Sequence, residues 1–135
     1  MRRQLDIRSN NGQTIVEFAL ILPILCVLLF GVIQFGILFN NYVTLTDAVR
    51  AGARKAAVSR PLGASGAISA AQQAVRDAAT DLDPSKLPDA TVTSSWDHGE
   101  PVTVCAKYPY EITIALLGIT AASGNLTSCT KERVE

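Results

Sequence analysis

Three sets of residues in this chain have types and spacings that could do chemistry. In the first, Gly12 precedes Gln13, and Glu17 follows four positions later. Glycine is an unhindered residue that a protease can accept in an extended conformation, and a cut after Gly12 would free an α-amino cation on Gln13. The Glu17 carboxylate, in the same helix or a neighbouring one, could neutralise that cation. The other reading of Glu17 is an ordinary charge at a membrane boundary, where snorkelling relieves much of the cost of a carboxylate near lipid. The second set is Cys105 and Cys129, two distal thiols that could pair in an oxidising compartment. Cys26 lies in an apolar run and reads as a small apolar filler. The third set is His98 with the scattered acids Asp81, Asp83 and Asp89.

The third set leads nowhere chemically. His98 falls in an expected turn, with no Cys/His ligand spacing, glycine-rich phosphate loop or nucleophile motif beside it. The acids lack the glycine and terminal glutamate of a calcium loop and read as solvated loop charges. We therefore expect no catalytic residue, no metal, no cofactor and no small-molecule substrate. With 12 basic and 12 acidic side chains, the chain also lacks the basic footprint of a nucleic-acid binder.

The element that must carry Gln13 and Glu17 is the apolar run behind them. From Phe18 through Thr46 there is no charged side chain. At ~1.5 Å rise per residue, Phe18–Phe39 is long enough to cross a hydrocarbon layer of ~30 Å. The alternative is a buried core helix, but a chain of 135 residues has little apolar material left to wrap such a rod. Pro23 lies inside the run, either bending the helix for bundle packing or tolerated as an irregularity. Ahead of it, residues 1–12 are polar and basic, with Arg2, Arg3 and Arg8 against Asp6, and end in Asn-Asn-Gly, which favours a turn. A basic flank before a first span favours keeping that end in the cytoplasm and exporting the residues beyond Phe39. Phe39-Asn40-Asn41-Tyr42-Val43 offers no A-x-A site for an ordinary secretory signal cut.

Beyond the run the period stays helical to Val58. Leu45, Val49, Gly52, Ala53 and Ala56 share a stripe, with Asp47, Arg50 and Arg54 off it. Ala48, Gly52 and Ala56, small residues at four-residue intervals, suit close packing of this stalk on another helix or on the chain's own domain. Residues 59–66 read as a break, and Ile68 to Leu82 as an amphipathic helix. The period then changes to two. Val92, Ser94 and Trp96, and after a turn Val102, Val104, Ala106 and Tyr108, mark a β-hairpin, with a third strand over Leu126 to Val134. Helix 68–82 is expected to cover the sheet's apolar face. Cys105 and Cys129 share the other, solvated face, so a cross-strand disulfide is plausible if their strands are neighbours. The apolar stretch Ile112 to Ile119 is too short to span a membrane and either packs on the head or forms an interface patch. The expected fold class is α+β: residues 1–12 a leader, 13–39 a transmembrane helix, 40–58 a stalk, 59–66 a linker, and 67–135 a small head with one amphipathic helix on about three antiparallel strands.

Gly12-Gln13, with Glu17 at the fifth position after the cut and Phe18 next to it, resembles the processing site of type IV prepilins. More narrowly, GQTIVEFALILPILCVLLFGVIQFG followed by AVRAGARKAAV is similar to the TadE-like minor pilins of the bacterial tight-adherence (Tad/Flp) pilus system. The likeness covers Gly12 to about Val58, with SCTKERVE a weaker echo at the carboxyl end. It implies a pseudopilin of the bacterial inner membrane, single-pass, with a cytoplasmic leader cut by a prepilin peptidase between Gly12 and Gln13. It implies other pilins and Tad assembly proteins as partners, and gives Glu17 a role in recognition or subunit packing. The competing expectation is an uncleaved membrane-anchored envelope domain that binds a partner or ligand.

Overall fold

The computed structural model describes residues 10–114 and 118–135. The leader charges Arg2, Arg3, Asp6 and Arg8, and Ala115 to Leu117 in the middle of the 112–119 stretch, lie outside the described residues. Helix α1 runs without interruption over Asn10–Val58 and contains Pro23. A short 3-10 turn at Arg60–Leu62 leads into α2, Gly63–Ala78. Strands β1 (Thr91–Thr93), β2 (Pro101–Ile114) and β3 (Ile119–Arg133) form one antiparallel sheet in the order β1-β2-β3. The class is α+β, with one candidate membrane-spanning helix.

The carboxyl-terminal third of α1 is helical by stripe and buried by packing. Leu45, Ala48, Val49, Gly52, Ala53, Ala56 and Ala57 are buried, while Asp47, Arg50 and Arg54 face solvent. Gly52 lets α2 close on α1; α1 in turn lies directly against β2 and β3, whereas α2 packs on α1 and reaches β1. The sequence pattern assigned the covering role to helix 68–82, and the structure gives most of it to α1. Val102, Val104, Ala106 and Tyr108 from β2, and Val134 from the chain's end, complete the core.

Helix α2 begins at Gly63, inside the stretch that reads as a break, and ends at Ala78, before Leu82. Pro61 in the preceding 3-10 turn is no obstacle, because the first turn of a helix has no use for the N–H that proline lacks. Ala79 and Leu82 are still buried, although the chain that carries them is no longer helical. Gln72 ties α2 to the approach of β1 by donating from Nε2 to the Ala90 carbonyl at 3.1 Å. Gln72→Ala removes that partner from a residue only 3 % exposed. It should destabilise the head by about 1–2 kcal/mol in urea unfolding, the usual consequence of orphaning a buried carbonyl.

Strand β1 is shorter than its alternation suggests. It ends at Thr93 because Trp96 has φ 62, a left-handed conformation that no strand continues through, and its ring turns in against the core. β2 and β3 are longer than expected. Ile112 to Ile114 extend β2, and Ile119 opens β3, so the apolar stretch forms the far end of a hairpin. A register shift between Ile112 and Thr113 carries Ala121 as an extra residue on β3. At the other end of the sheet, Gly99 N–H donates to the Val134 carbonyl and Val134 N–H to Glu100, and the Glu135 N–H donates to the Ala57 carbonyl of α1. The chain's end thus satisfies a carbonyl that the end of a helix leaves open.

In the loop after α2, Asp83 accepts hydrogen bonds from the Ser85 hydroxyl at 2.7 Å and the Ser85 N–H at 3.0 Å. These bonds favour the charged carboxylate and lower its pKa from 3.8, with Lys86 contributing less. Because folding lowers this pKa, the contribution is complete above the unfolded value and disappears as the pH falls through the folded one. Ser85→Ala should return the Asp83 carboxyl towards 3.8 in an NMR titration.

Candidate functional site

Two surfaces arise from this architecture: the bare helix below the head, and the cleft where the hairpin meets that helix. The bare part of α1 is apolar and open. Ile15, Phe18, Leu20, Ile24, Leu28, Val32 and Phe35 are each more than 60 % exposed. None of the most apolar 18-residue window is buried. That separates α1 from the core helix of a soluble protein, which would be covered, and makes it a candidate membrane span by length and composition.

At its start, Gln13 Nε2 donates to Glu17 Oε1 at 3.0 Å, one helical turn apart. The carboxylate therefore reaches back one turn to Gln13. Phe18, beside it, is exposed. Asn10, Asn11 and Gly12 are helical, so the Gly12–Gln13 bond lies within α1 and not in the turn that Asn-Asn-Gly suggests.

Cys26 is a free, half-buried thiol on α1. Ala48, Gly52 and Ala56, the small residues of the stalk, are covered by the chain's own head, with Val75, Ala71 and Val104 crowding Gly52. The exposed side of the same stretch is a shallow groove along Phe39, Tyr42, Val43, Thr46, Asp47 and Arg50, crossed by an Asp47–Arg50 ion pair at 3.3 Å. Cys105 and Cys129 are directly opposed across β2 and β3, with S–S 2.12 Å, on the face away from α1. The scattered acids are taken up locally. Asp89 pairs with Arg76, and Asp83 lies 4.0 Å from Lys86. Among the described residues no group of three His, Cys, Asp or Glu side chains converges, and His98 is exposed.

The cleft is the feature that residue patterns missed. Gln34, Ile37, Leu38 and Asn41 line one side, and Tyr108, Pro109, Tyr110 and Ile112 the other, around about 450 Å³. At its end Gln34 Nε2 donates to the Thr113 carbonyl at 3.3 Å. The available signal was a lone amide in an otherwise apolar helix, since such a group needs a partner.

Comparison with known families bears on this same helix. Residues 12–54 match the TadE-like protein family. The TadE-like segment covers the exposed span, Gln13 and Glu17, and enters the buried stripe as far as Arg54. It stops short of α2 and the sheet. No curated protein and no solved structure matches the chain. That match is consistent with a TadE-like protein of Tad pilus systems, and the uncovered apolar helix suggests membrane anchoring.

Proposed function

We propose that this chain is a minor pilin or pseudopilin acting in assembly of a Tad/Flp-type pilus. Its leader stays in the cytoplasm, α1 spans the inner membrane and the head is exported. A prepilin peptidase cuts between Gly12 and Gln13, and Glu17 then serves subunit packing by holding the new α-amino cation of its own or a neighbouring chain. The observation that carries this reading is an uncovered apolar helix coinciding with the TadE-like match. Other pilins and Tad assembly proteins are the partners it implies. The work is structural and not enzymatic.

The test is intact mass and amino-terminal sequencing of membrane-extracted protein from cells with and without the prepilin peptidase. A chain beginning at Gln13 only when the peptidase is present supports the proposal; one that keeps Arg2-Arg3 in both strains overturns it. The second outcome would favour an uncleaved, membrane-anchored envelope domain binding a partner or ligand. The helical conformation at Gly12 favours that alternative, because a peptidase must unwind the helix there to reach the bond.

Glu17→Ala separates processing from packing. Hydrogen bonds to a charged group are worth roughly 1.5–3 kcal/mol. The variant should still be cut but should enter the sheared pilus or assembly fraction about tenfold less, as read by immunoblot.

A further inference from the structure

The end of the β2–β3 hairpin stands at a depth where the helix beside it is apolar. β2 continues to Ile114, far beyond its pairing with β1, and the chain turns back through Gly118, φ 62, into Ile119. The Gln34–Thr113 hydrogen bond fixes the level of this tip against α1. Gln34 lies in the uncharged run and precedes Asn40 by six residues. At ~1.5 Å per residue the contact is therefore ~9 Å to the apolar side of the Asn40-Asn41 pair. If α1 spans a bilayer, a hairpin bonded to it there cannot stay clear of that bilayer.

The chemistry of the tip agrees. No charged side chain occurs between Glu111 and Lys131. Ile119 is 56 % exposed, and its neighbours Thr120, Ala121 and Ala122 are small or uncharged and exposed as well. The open strand edges set the depth. β1 pairs with β2 only at Thr103 to Cys105, and no strand among the described residues lies beyond β3. Bare backbone N–H and C=O groups cost several kcal/mol each in hydrocarbon, but water and lipid carbonyls meet them in the interfacial layer. Interfacial elements characteristically sink ~5–10 Å into the headgroup and acyl boundary. We propose that the paired ends of β2 and β3, Thr113 on one strand and Ile119 to Ala122 on the other with Ile119 exposed, rest in the interfacial layer of the bilayer that α1 spans, their occupant being phospholipid headgroups and their first methylenes. The tip is then a second membrane contact that holds the head at a set height and tilt. This inference rests on α1 spanning the bilayer and is independent of cleavage at Gly12.

The test uses the full chain in phosphatidylethanolamine/phosphatidylglycerol vesicles, with tryptophan as the depth probe. Ile119→Trp in a Trp96→Phe background should emit at shorter wavelength than a water-exposed indole and lose emission to lipids brominated near the headgroup more than to lipids brominated at the chain end. Long-wavelength emission without bromine quenching overturns the proposal. Short-wavelength emission without quenching also overturns it, by showing that protein, such as a second copy, covers the tip. Should Trp96→Phe impair folding, Ile119→Trp with Trp96 retained gives the same answer as a difference from the wild type. Leu28→Trp in the helix is the control. If bromine at the chain end fails to quench that probe, the spanning reading fails and takes this proposal with it; if it quenches, the Ile119 result stands alone.

Discussion

Cys105→Ser with Cys129→Ser should lower the stability of the head by ~3 kcal/mol, the chain-entropy value for closing a loop of this size. The two residues are 24 positions apart and directly opposed in the middle of the β2–β3 ladder. Cys129 is exposed and Cys105 half-buried on the face away from α1, so serine leaves no cavity in the core. The loss therefore acts mainly through the unfolded chain, which regains the freedom of the open loop. It matters here because the head is small and its remaining strand, β1, contributes three residues. Urea unfolding in detergent, followed by Trp96 fluorescence, should show a lower midpoint for the double variant. Reductant should bring the wild type to the same midpoint and leave the variant unmoved. Equal midpoints for wild type and variant would show that the pair contributes nothing to stability.

Gly52→Leu should be of similar size, roughly 3 kcal/mol, at the upper end of overpacking costs. Even a methyl at this position would overlap Val75 Cγ2, stand 3.1 Å from the Ala71 carbonyl oxygen and 3.6 Å from Val104 Cγ1. Val75 is stiff at χ1 in a helix, and a backbone oxygen cannot swing aside, so α2 must move away from α1. The gain in helix propensity on leaving glycine, about 1 kcal/mol, offsets only part of this. Gly52→Ala should show the smaller net loss. The defect should appear in the head's urea midpoint, while the level of membrane-extracted protein stays the same, because residues 13–39 are untouched. A wild-type midpoint for Gly52→Leu would mean that α1 and α2 do not cross at Gly52.

The candidate site was legible as far as it is local. Gly12, Gln13 and Glu17 announce themselves by residue type and by a spacing of one helical turn, and the structure places the Gln13 amide on the Glu17 carboxylate within that turn. The Gln34–Thr113 contact was not legible, since 79 positions separate its partners. Nothing near Gln34 in the chain says which carbonyl will meet it.

Residue order alone was enough for the long apolar helix, because an uncharged run of this length can bury its surface only in lipid or in other protein. It was also enough for the helical stripe to Ala56 and for the common face of Cys105 and Cys129, because side chains at periods of 3.6 and 2 must share a side. Three matters waited for the tertiary structure. Periodicity marks which face is buried but not what covers it, so that α1 and not α2 lies nearest the sheet is decided only by how the elements pack together. Strand length is set outside the alternating pattern, so β1 stopped at Thr93 short of the left-handed Trp96, while β2 found β3 to pair with as far as Ile114. The position of the hairpin tip beside the apolar helix required both, because it exists only once β2 and β3 have paired to their full length against α1.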